Sequence, residues 1–230
     1  RISTLAIIPS RSGSKRIKNK NLIEINGVPL LGNAVSLAKS SELFDRIIVS
    51  TNDSKAAQIA KNYGAEIPKL RSEELSDDYA TIKDVILDTL TFEWLGDFRP
   101  EFVCCIFPTT PLLEAKHLKA SFDVISSNDC DYVFHAIPYS HPVDRGFFLG
   151  VNNKIEMKSS ENALTRTQDL RSFYHDSGQY YWGTWDAWRS NRPILGENSI
   201  GIEAKPYEFI DIDNWEDLSF AKLILEGRKA

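Results

Sequence analysis

Two groups of residues in this 230-residue chain have the types and spacing to do chemistry. The first is Pro9-Ser10-Arg11-Ser12-Gly13-Ser14-Lys15-Arg16-Ile17-Lys18-Asn19-Lys20-Asn21, which sets five cationic side chains among small residues and one glycine. Small residues let backbone N–H groups approach a ligand closely, while Arg and Lys supply charge for several phosphate oxygens at once. The apolar run before it, residues 5–8, reads as a buried strand. A loop leaving the carboxyl end of a first strand is where an open α/β sheet binds its ligand. Polyphosphate binding is therefore expected of this loop, with a solvated basic stretch as the alternative. Neither G-x-x-x-x-G-K-[ST] nor G-x-G-x-x-G is present, so a P-loop is excluded and a dinucleotide fold is not expected.

The second group is Phe209-Ile210-Asp211-Ile212-Asp213. In a strand, positions i and i+2 face the same side, so Asp211 and Asp213 can aim at one ion. One or two carboxylates with substrate phosphate oxygens and waters suffice for Mg²⁺. The competing reading makes Asp211 a charge at a strand edge and Asp213 the N-cap of a helix starting near Trp215. Two further residues stay open on their own chemistry. His175 is either a general base or a hydrogen-bonded structural residue, and Arg166 either pairs its fork with a carboxylate or lies idle on the surface. Tyr180, Tyr181, Trp182 and Trp185 read as core, with Tyr181 the one placed at a ligand.

These residues need elements to position them. Strands are read at 5–9, 46–50, 102–107 and 132–137, and helices at 30–39, 54–63, 81–93 and 114–126, with 66–70 extended. The run 102–107 is continuously apolar and reads as a central strand covered on both faces. This alternation predicts a three-layer αβα domain with a mostly parallel sheet and right-handed crossovers. Periodicity is lost over 138–178 and resumes near Gln179, so residues 1–137 and 179–230 are read as the α/β domain and 138–178 as an insertion. Apolar residues make up 42% and charged residues 26%, ordinary for a soluble globular chain. No apolar stretch approaches membrane-helix length and no leader is read at the start, so no membrane association is expected. A net charge of −5 argues against nucleic acid as a partner. The three cysteines lack metal-ligand spacing and are expected to be reduced, in the cytoplasm.

The basic loop resembles that of the CMP-sialic acid synthetases, whose signature runs A-R-x-G-S-K-x-x-x-x-K-N. Arg11, Gly13, Ser14, Lys15, Lys20 and Asn21 match it, and Ile210 to Leu218 match the family's I-D-I-D-x-x-x-D-L motif. Arg166-Thr167-Gln168-Asp169-Leu170 and His175-Asp176-Ser177-Gly178-Gln179-Tyr180-Tyr181-Trp182-Gly183 are similar to the R-[ST]-Q-D-L and H-D-A-G-Q-F-Y-W-G blocks of its pseudaminate branch. Phe107-Pro108-Thr109-Thr110-Pro111-Leu112 is close to the family's Pro-Thr-Ser-Pro-Leu, with Phe107 where sialate enzymes usually have Gln. The resemblance implies a nucleotide-diphospho-sugar transferase (Rossmann-like) fold and transfer of CMP from CTP to a nine-carbon 2-keto sugar acid, with pyrophosphate released. Pseudaminic acid is the implied acceptor, with N-acetylneuraminate or legionaminate as the alternative. It further implies that Arg11 and Lys20 neutralise the triphosphate, that Gly13, Ser14 and Lys15 add contacts, and that Asn21 holds the nucleotide. Asp78, Ala80 and Thr81 fall in the family's pyrimidine-contacting segment. Phe107, Thr109, Arg166, Gln168, His175, Gln179 and Tyr181 are implied at the sugar, and Asp211 and Asp213 on Mg²⁺. The insertion matches a dimerisation arm that reaches over a neighbour's active site, so a homodimer is implied.

Overall fold

Leu5, Ala6, Ile7 and Ile8 are fully buried in β1 (Thr4–Ser10), the strand beside which the sheet is built. A computed structural model describes residues 2–14, 16–77 and 79–229. After β1, a short hairpin of β2 (Glu24–Ile25) and β3 (Val28–Pro29) leads to α1 (Leu30–Ser41), β4 (Arg46–Thr51) and α2 (Ser54–Tyr63). Next come α3 (Ile82–Thr89), α4 (Phe92–Leu95), β5 (Phe102–Ile106), α5 (Ala115–Ser127) and β6 (Tyr132–Pro138). The remainder holds β7 (Phe147–Leu149), β8 (Ile155–Met157), β9 (Tyr174–Asp176), β10 (Tyr180–Thr184), α6 (Trp185–Arg189), β11 (Ser199–Glu203) and α7 (Trp215–Gly227).

The main sheet runs β11-β6-β10-β5-β1-β4, with β9 also on β6. β1 pairs in parallel with β4 and β5, and β11 in parallel with β6. β10 lies antiparallel between β5 and β6, and β9 is antiparallel to β6. The sheet is thus mostly parallel, and its two reversed strands are the ones that return from the irregular region. Helices α1, α2 and α5 cover one face, burying Leu31, Val35, Ala60 and Leu118. Helices α3, α4 and α6 cover the other, burying Ile86, Trp94, Leu95 and Trp188. Each of the larger of these side chains contributes roughly 2 kcal/mol relative to exposure, so the sheet is the rigid frame from which the functional loops leave. A third apolar cluster joins Ile17 of the basic loop to Ile212 of the acidic segment, with Leu30, Leu218 and Ala221.

Four features differ from the sequence readings. The helix expected over 81–93 divides at Leu90, where the Thr91 hydroxyl donates to Asp88 O at 2.7 Å and draws off a helical carbonyl. Residues 138–178 hold the separate β7–β8 hairpin, and pairing with the main sheet resumes at Tyr174, in β9, because Ala136 to Pro138 still offer β6 backbone groups. Asp211 and Asp213 lie outside any strand. Ile212 between them is fully buried, while Asp211 and Asp213 both keep solvent-accessible surface. The N-cap of α7 is Asn214, in a reciprocal box with Asp217, and not Asp213.

The acidic segment is tethered through a buried polar network. His117 Nδ1 accepts from Glu114 N at 3.0 Å and its Nε2 meets Glu208 Oε1 at 3.3 Å. Phe209 packs on His117 and His135 at ring distances of 4.8 and 5.0 Å, and His135 Nδ1 pairs with the Tyr180 hydroxyl at 2.7 Å. Burial pushes His135 down to about 4, with His117 adding to the effect and Glu208 opposing it. Between the ordinary value of 6.5 and about 4, the unfolded chain binds a proton that the folded state refuses. Stability is therefore expected to fall as pH drops through that window, by about 2–3 kcal/mol from this group, and to level off below it. Urea unfolding at pH 7 and pH 5 checks this, with a flatter dependence expected for His135→Gln.

Candidate active site

The basic loop is shaped by hydrogen bonds from its own small and amide side chains. Asn21 Nδ2 donates to Ser10 Oγ at 3.0 Å and to Arg11 O at 3.4 Å, closing the loop on itself. Asn52, after β4, accepts from Ser12 N at 3.0 Å and donates to Ser12 Oγ at 2.9 Å. Gly13 sits at φ +87°, a conformation that side-chain-bearing residues rarely adopt. Ile17 has no exposed surface, and this apolar anchor holds down a loop that is otherwise charged and solvated. Arg11 reaches across to donate to Asp77 O at 3.3 Å.

Between this loop, the 71–82 segment and the turn after β5 lies a cavity of about 330 Å³. Arg11, Ser14, Lys20 and Asn21 line one wall, Ala80 and Thr81 another, and Phe107 and Thr109 a third. Thr81 also caps α3, accepting from Asp84 N while the Asp84 carboxylate accepts Thr81 N–H. The loop residues and the 80–81 pair, far apart in the chain, are thus brought to one cavity. Arg71, which no motif pointed to, lines it as well and is 4% exposed. Its guanidinium donates to Ser76 Oγ at 3.0 Å and Ser50 O at 3.3 Å. Burial pulls it down to about 10, with Arg11 adding and Asp88 opposing, so it is a cation at neutral pH.

A second cavity of about 350 Å³ shares Phe107 with the first. His175, Asp176, Gly178, Tyr181 and Asp211 line it. The Tyr181 ring stands edge-on between Phe107 and Phe134, and its hydroxyl donates to Asp176 Oδ2. Burial pushes the Tyr181 phenol well up, and the Asp176 carboxylate reinforces this, so the O–H stays a donor. His175 Nδ1 lies 2.8 Å from Asp176 O, and its ring is edge-on to Tyr139 at 5.0 Å.

Lys20 joins the two cavities electrostatically. It lines the first, donates to Ile212 O, and lies 3.6 Å from an Asp213 oxygen, with Arg16 at 3.4 Å from the other. Asp211 is open to solvent at its edge yet stands in a concavity with protein on several sides. Desolvation there raises its carboxyl above the usual range, the Asp213 charge adds to this, and Lys20 opposes it. Among the described residues no group of three or more His, Cys, Asp or Glu is placed to hold a metal. A cation on Asp211 and Asp213 would need further oxygens from phosphate and water, the usual arrangement for Mg²⁺, and it would relieve the repulsion between the two carboxylates. The residues fit that ion.

Gly178 explains how Asp211 reaches the second cavity. Its φ is +67°, and a Cβ there would stand 2.8 Å from Asp211 Oδ2. Gly178→Ala is expected to destabilise the fold by about 1 kcal/mol through the left-handed backbone and to lower turnover by displacing Asp211. Thermal melts and steady-state rates on the same preparation check both effects.

Other expected site residues are placed elsewhere. Arg166 and Gln168 are exposed around a 3-10 turn (Thr167–Asp169) and line neither cavity. Gln179 has no exposed surface; its Nε2 donates to Ser177 O and Ile210 O, both at 3.1 Å, so it ties the acidic segment to the start of β10. Thr109 lies on the first cavity rather than the second. Lys15 and Asp78 lie outside the described residues. Asp176 was visible in the sequence only as part of a quoted block, and Arg71 gave no signal there, since its role comes from burial beside β4.

Comparison with known proteins shows the family and the fold. Residues 5–211 match the family model described as cytidylyltransferase. A pseudaminic acid cytidylyltransferase of Campylobacter jejuni is 35% identical over 223 residues, covering 97% of this chain and 96% of that one. A Helicobacter pylori protein, pseudaminic acid cytidylyltransferase and UDP-2,4-diacetamido-2,4,6-trideoxy-beta-L-altropyranose hydrolase, is 39% identical over 90% of this chain and 40% of its own length. A solved structure of CMP:2-keto-3-deoxy-manno-octonic acid synthetase with CTP superposes at a TM-score of 0.73. It is 13% identical and covers 98% of this chain and 99% of its own, a likeness of fold.

Proposed function

The chain belongs to the cytidylyltransferase family, and we propose that it activates pseudaminic acid, forming CMP-pseudaminic acid and pyrophosphate from CTP. The observation that carries this reading is the pair of cavities meeting at Phe107, one walled by Arg11, Lys20 and Arg71 and the other by Asp176 and Asp211. The cationic cavity takes the triphosphate and the base; Ala80 and Thr81 lie opposite the loop, where a pyrimidine would rest. The second cavity takes the sugar acid, whose anomeric hydroxyl faces the α-phosphorus across Phe107. In the reaction a new bond forms from that hydroxyl oxygen to the α-phosphorus, the bond to the β-phosphate breaks with pyrophosphate leaving, and the hydroxyl proton passes to water.

The chain's residues act by positioning and by charge. Arg11 and Lys20 offset the negative charge that gathers on the phosphate oxygens, in a loop already ordered by Asn21 and Asn52 before substrate arrives. Asp211 and Asp213 would hold Mg²⁺, which when bound screens the phosphates and polarises oxygens bound to it. Lys20, by gripping Ile212 O, keeps that pair in register with the triphosphate. The names of the Campylobacter and Helicobacter relatives support pseudaminic acid as acceptor. An N-acylneuraminate cytidylyltransferase of Streptococcus agalactiae, 28% identical over 93% of this chain, supports neuraminate as the second choice.

The 138–178 region is proposed to work as a dimerisation arm. Its β7–β8 hairpin exposes Phe147, Phe148, Leu149 and Ile155, an apolar surface suited to a second copy. Arg166, which lines neither cavity of its own chain, would then serve the neighbour's sugar carboxylate. No described helix is long and apolar enough to cross a membrane, and a cytoplasmic location is part of the proposal. Pyrophosphate release with CTP, Mg²⁺ and a panel of nonulosonic acids tests the function. Turnover is expected with pseudaminic acid above neuraminate and legionaminate, and no turnover with any of them would overturn it.

A further inference from the structure

Asp176 is a carboxylate that neither the phosphates nor a cation account for. It lines the second cavity but does not form a three-acid metal group with Asp211 and Asp213. Its Oδ2 takes the Tyr181 hydroxyl, and its Oδ1 has no hydrogen-bond partner among the described residues. The direction of the Tyr181 O–H is set by a ring clamped between Phe107 and Phe134, 5.8 and 5.5 Å away. One oxygen is therefore pinned by a rigid donor while the other is left to the cavity. An oxygen so placed is a hydrogen-bond acceptor for whatever fills the cavity. Asp176, which is not one of the two carboxylates assigned to the cation, therefore offers this wall an acceptor for O–H and amide N–H groups.

We propose that Asp176 is a specificity-determining residue for the acceptor, taking a hydrogen bond from a hydroxyl or acylamino N–H of the bound sugar acid, and that Tyr181 is the positioning residue that aims it. The sugar acid is thereby oriented with a donor group toward Asp176, and an acceptor is selected for carrying that donor. The proposal rests on the assignment of the second cavity to the sugar acid.

The test is steady-state kinetics at saturating Mg²⁺ with pseudaminic acid and CTP varied separately. Asp176→Asn keeps the shape and can still accept from Tyr181, but it offers the cavity an N–H₂ donor in place of an acceptor. The sugar KM is expected to rise about tenfold, the scale of one lost hydrogen bond with a mismatched partner, with the CTP KM within about twofold. Tyr181→Phe retains the ring packing and is expected to raise the sugar KM in the same direction by a smaller factor. The double variant should resemble Asp176→Asn alone, because the two residues act as one unit. An unchanged sugar KM in Asp176→Asn, an equal rise in both KM values, or multiplicative effects in the double variant would each overturn the proposal. Should Asp176→Asn fail to fold, Tyr181→Phe decides it by the same KM split. An active wild type with an indifferent Asp176→Asn overturns this inference alone, whereas a wild type inactive with every sugar acid overturns the assigned reaction and the inference with it.

Discussion

Asp211→Asn and Asp213→Asn are each expected to reduce CMP-sugar formation by on the order of a thousandfold while the fold survives, the loss seen when one preorganised charge at a reacting centre is removed. The fold should survive because neither carboxylate supports it. Asp213 pairs with Arg16 and Lys20 where its side chain is nearly half exposed, and such pairs contribute little. Asp211 is held at an unfavourable pKa by desolvation and by Asp213, so neutralising it removes repulsion. Its Tm is expected to stay level or rise slightly, a pattern found where a site is kept charged for function. Pyrophosphate release with melting curves measures both. A near-normal rate with Mg²⁺ in both variants would remove the metal assignment.

The second large effect concerns the loop. Arg11→Ala and Lys20→Ala are each expected to lower kcat/KM by about a hundredfold, near 3 kcal/mol of transition-state charge stabilisation. They should part in stability. Arg11 is exposed, and contacts of an exposed charged side chain contribute little to stability, so its removal changes Tm little. Lys20 is mostly buried and donates to Ile212 O, so its loss leaves that carbonyl without its ammonium partner and loosens the acidic segment. About 1 kcal/mol is expected from that bond, a Tm decrease of about 2–4 °C for a chain of this size. Lys20→Arg should not restore activity, because a planar fork cannot replace a compact ammonium between a carbonyl and a carboxylate. If both alanine variants turned over CTP normally, the loop would be structural only.

Much of the frame was legible in the residues. The run 102–107 reads as a central strand because it is apolar on both faces, and β5 does lie between β1 and β10 with Val103 to Ile106 buried. Asp53 and Gly64 bracket α2 as cap and terminator, since local hydrogen bonding and backbone freedom act within a few residues. The basic loop and the Asp211–Asp213 pair could be singled out for the same reason: their chemistry is written in consecutive residues. The strand expected to align those two carboxylates is absent, and Ile212 between them is instead buried with Ile17 in a shared apolar cluster.

What tertiary structure decided is the set of relations between distant segments. Arg71 becomes part of the first cavity only because the chain after α2 returns beside β4, placing its guanidinium on Ser50. Gln179, expected at the sugar, is instead buried by the approach of Ile210, where an amide can satisfy a backbone carbonyl that no strand partners. Asp176 acquires its role from Tyr181, five residues on, because β9 ends and β10 begins around Gly178, whose left-handed turn returns the phenol to the carboxylate. Lys20 meets Ile212 across 192 positions of sequence. Local composition determined which groups could bind phosphate or metal; long-range packing determined which of them face one another, because only the folded sheet fixes distances between segments that the sequence leaves independent.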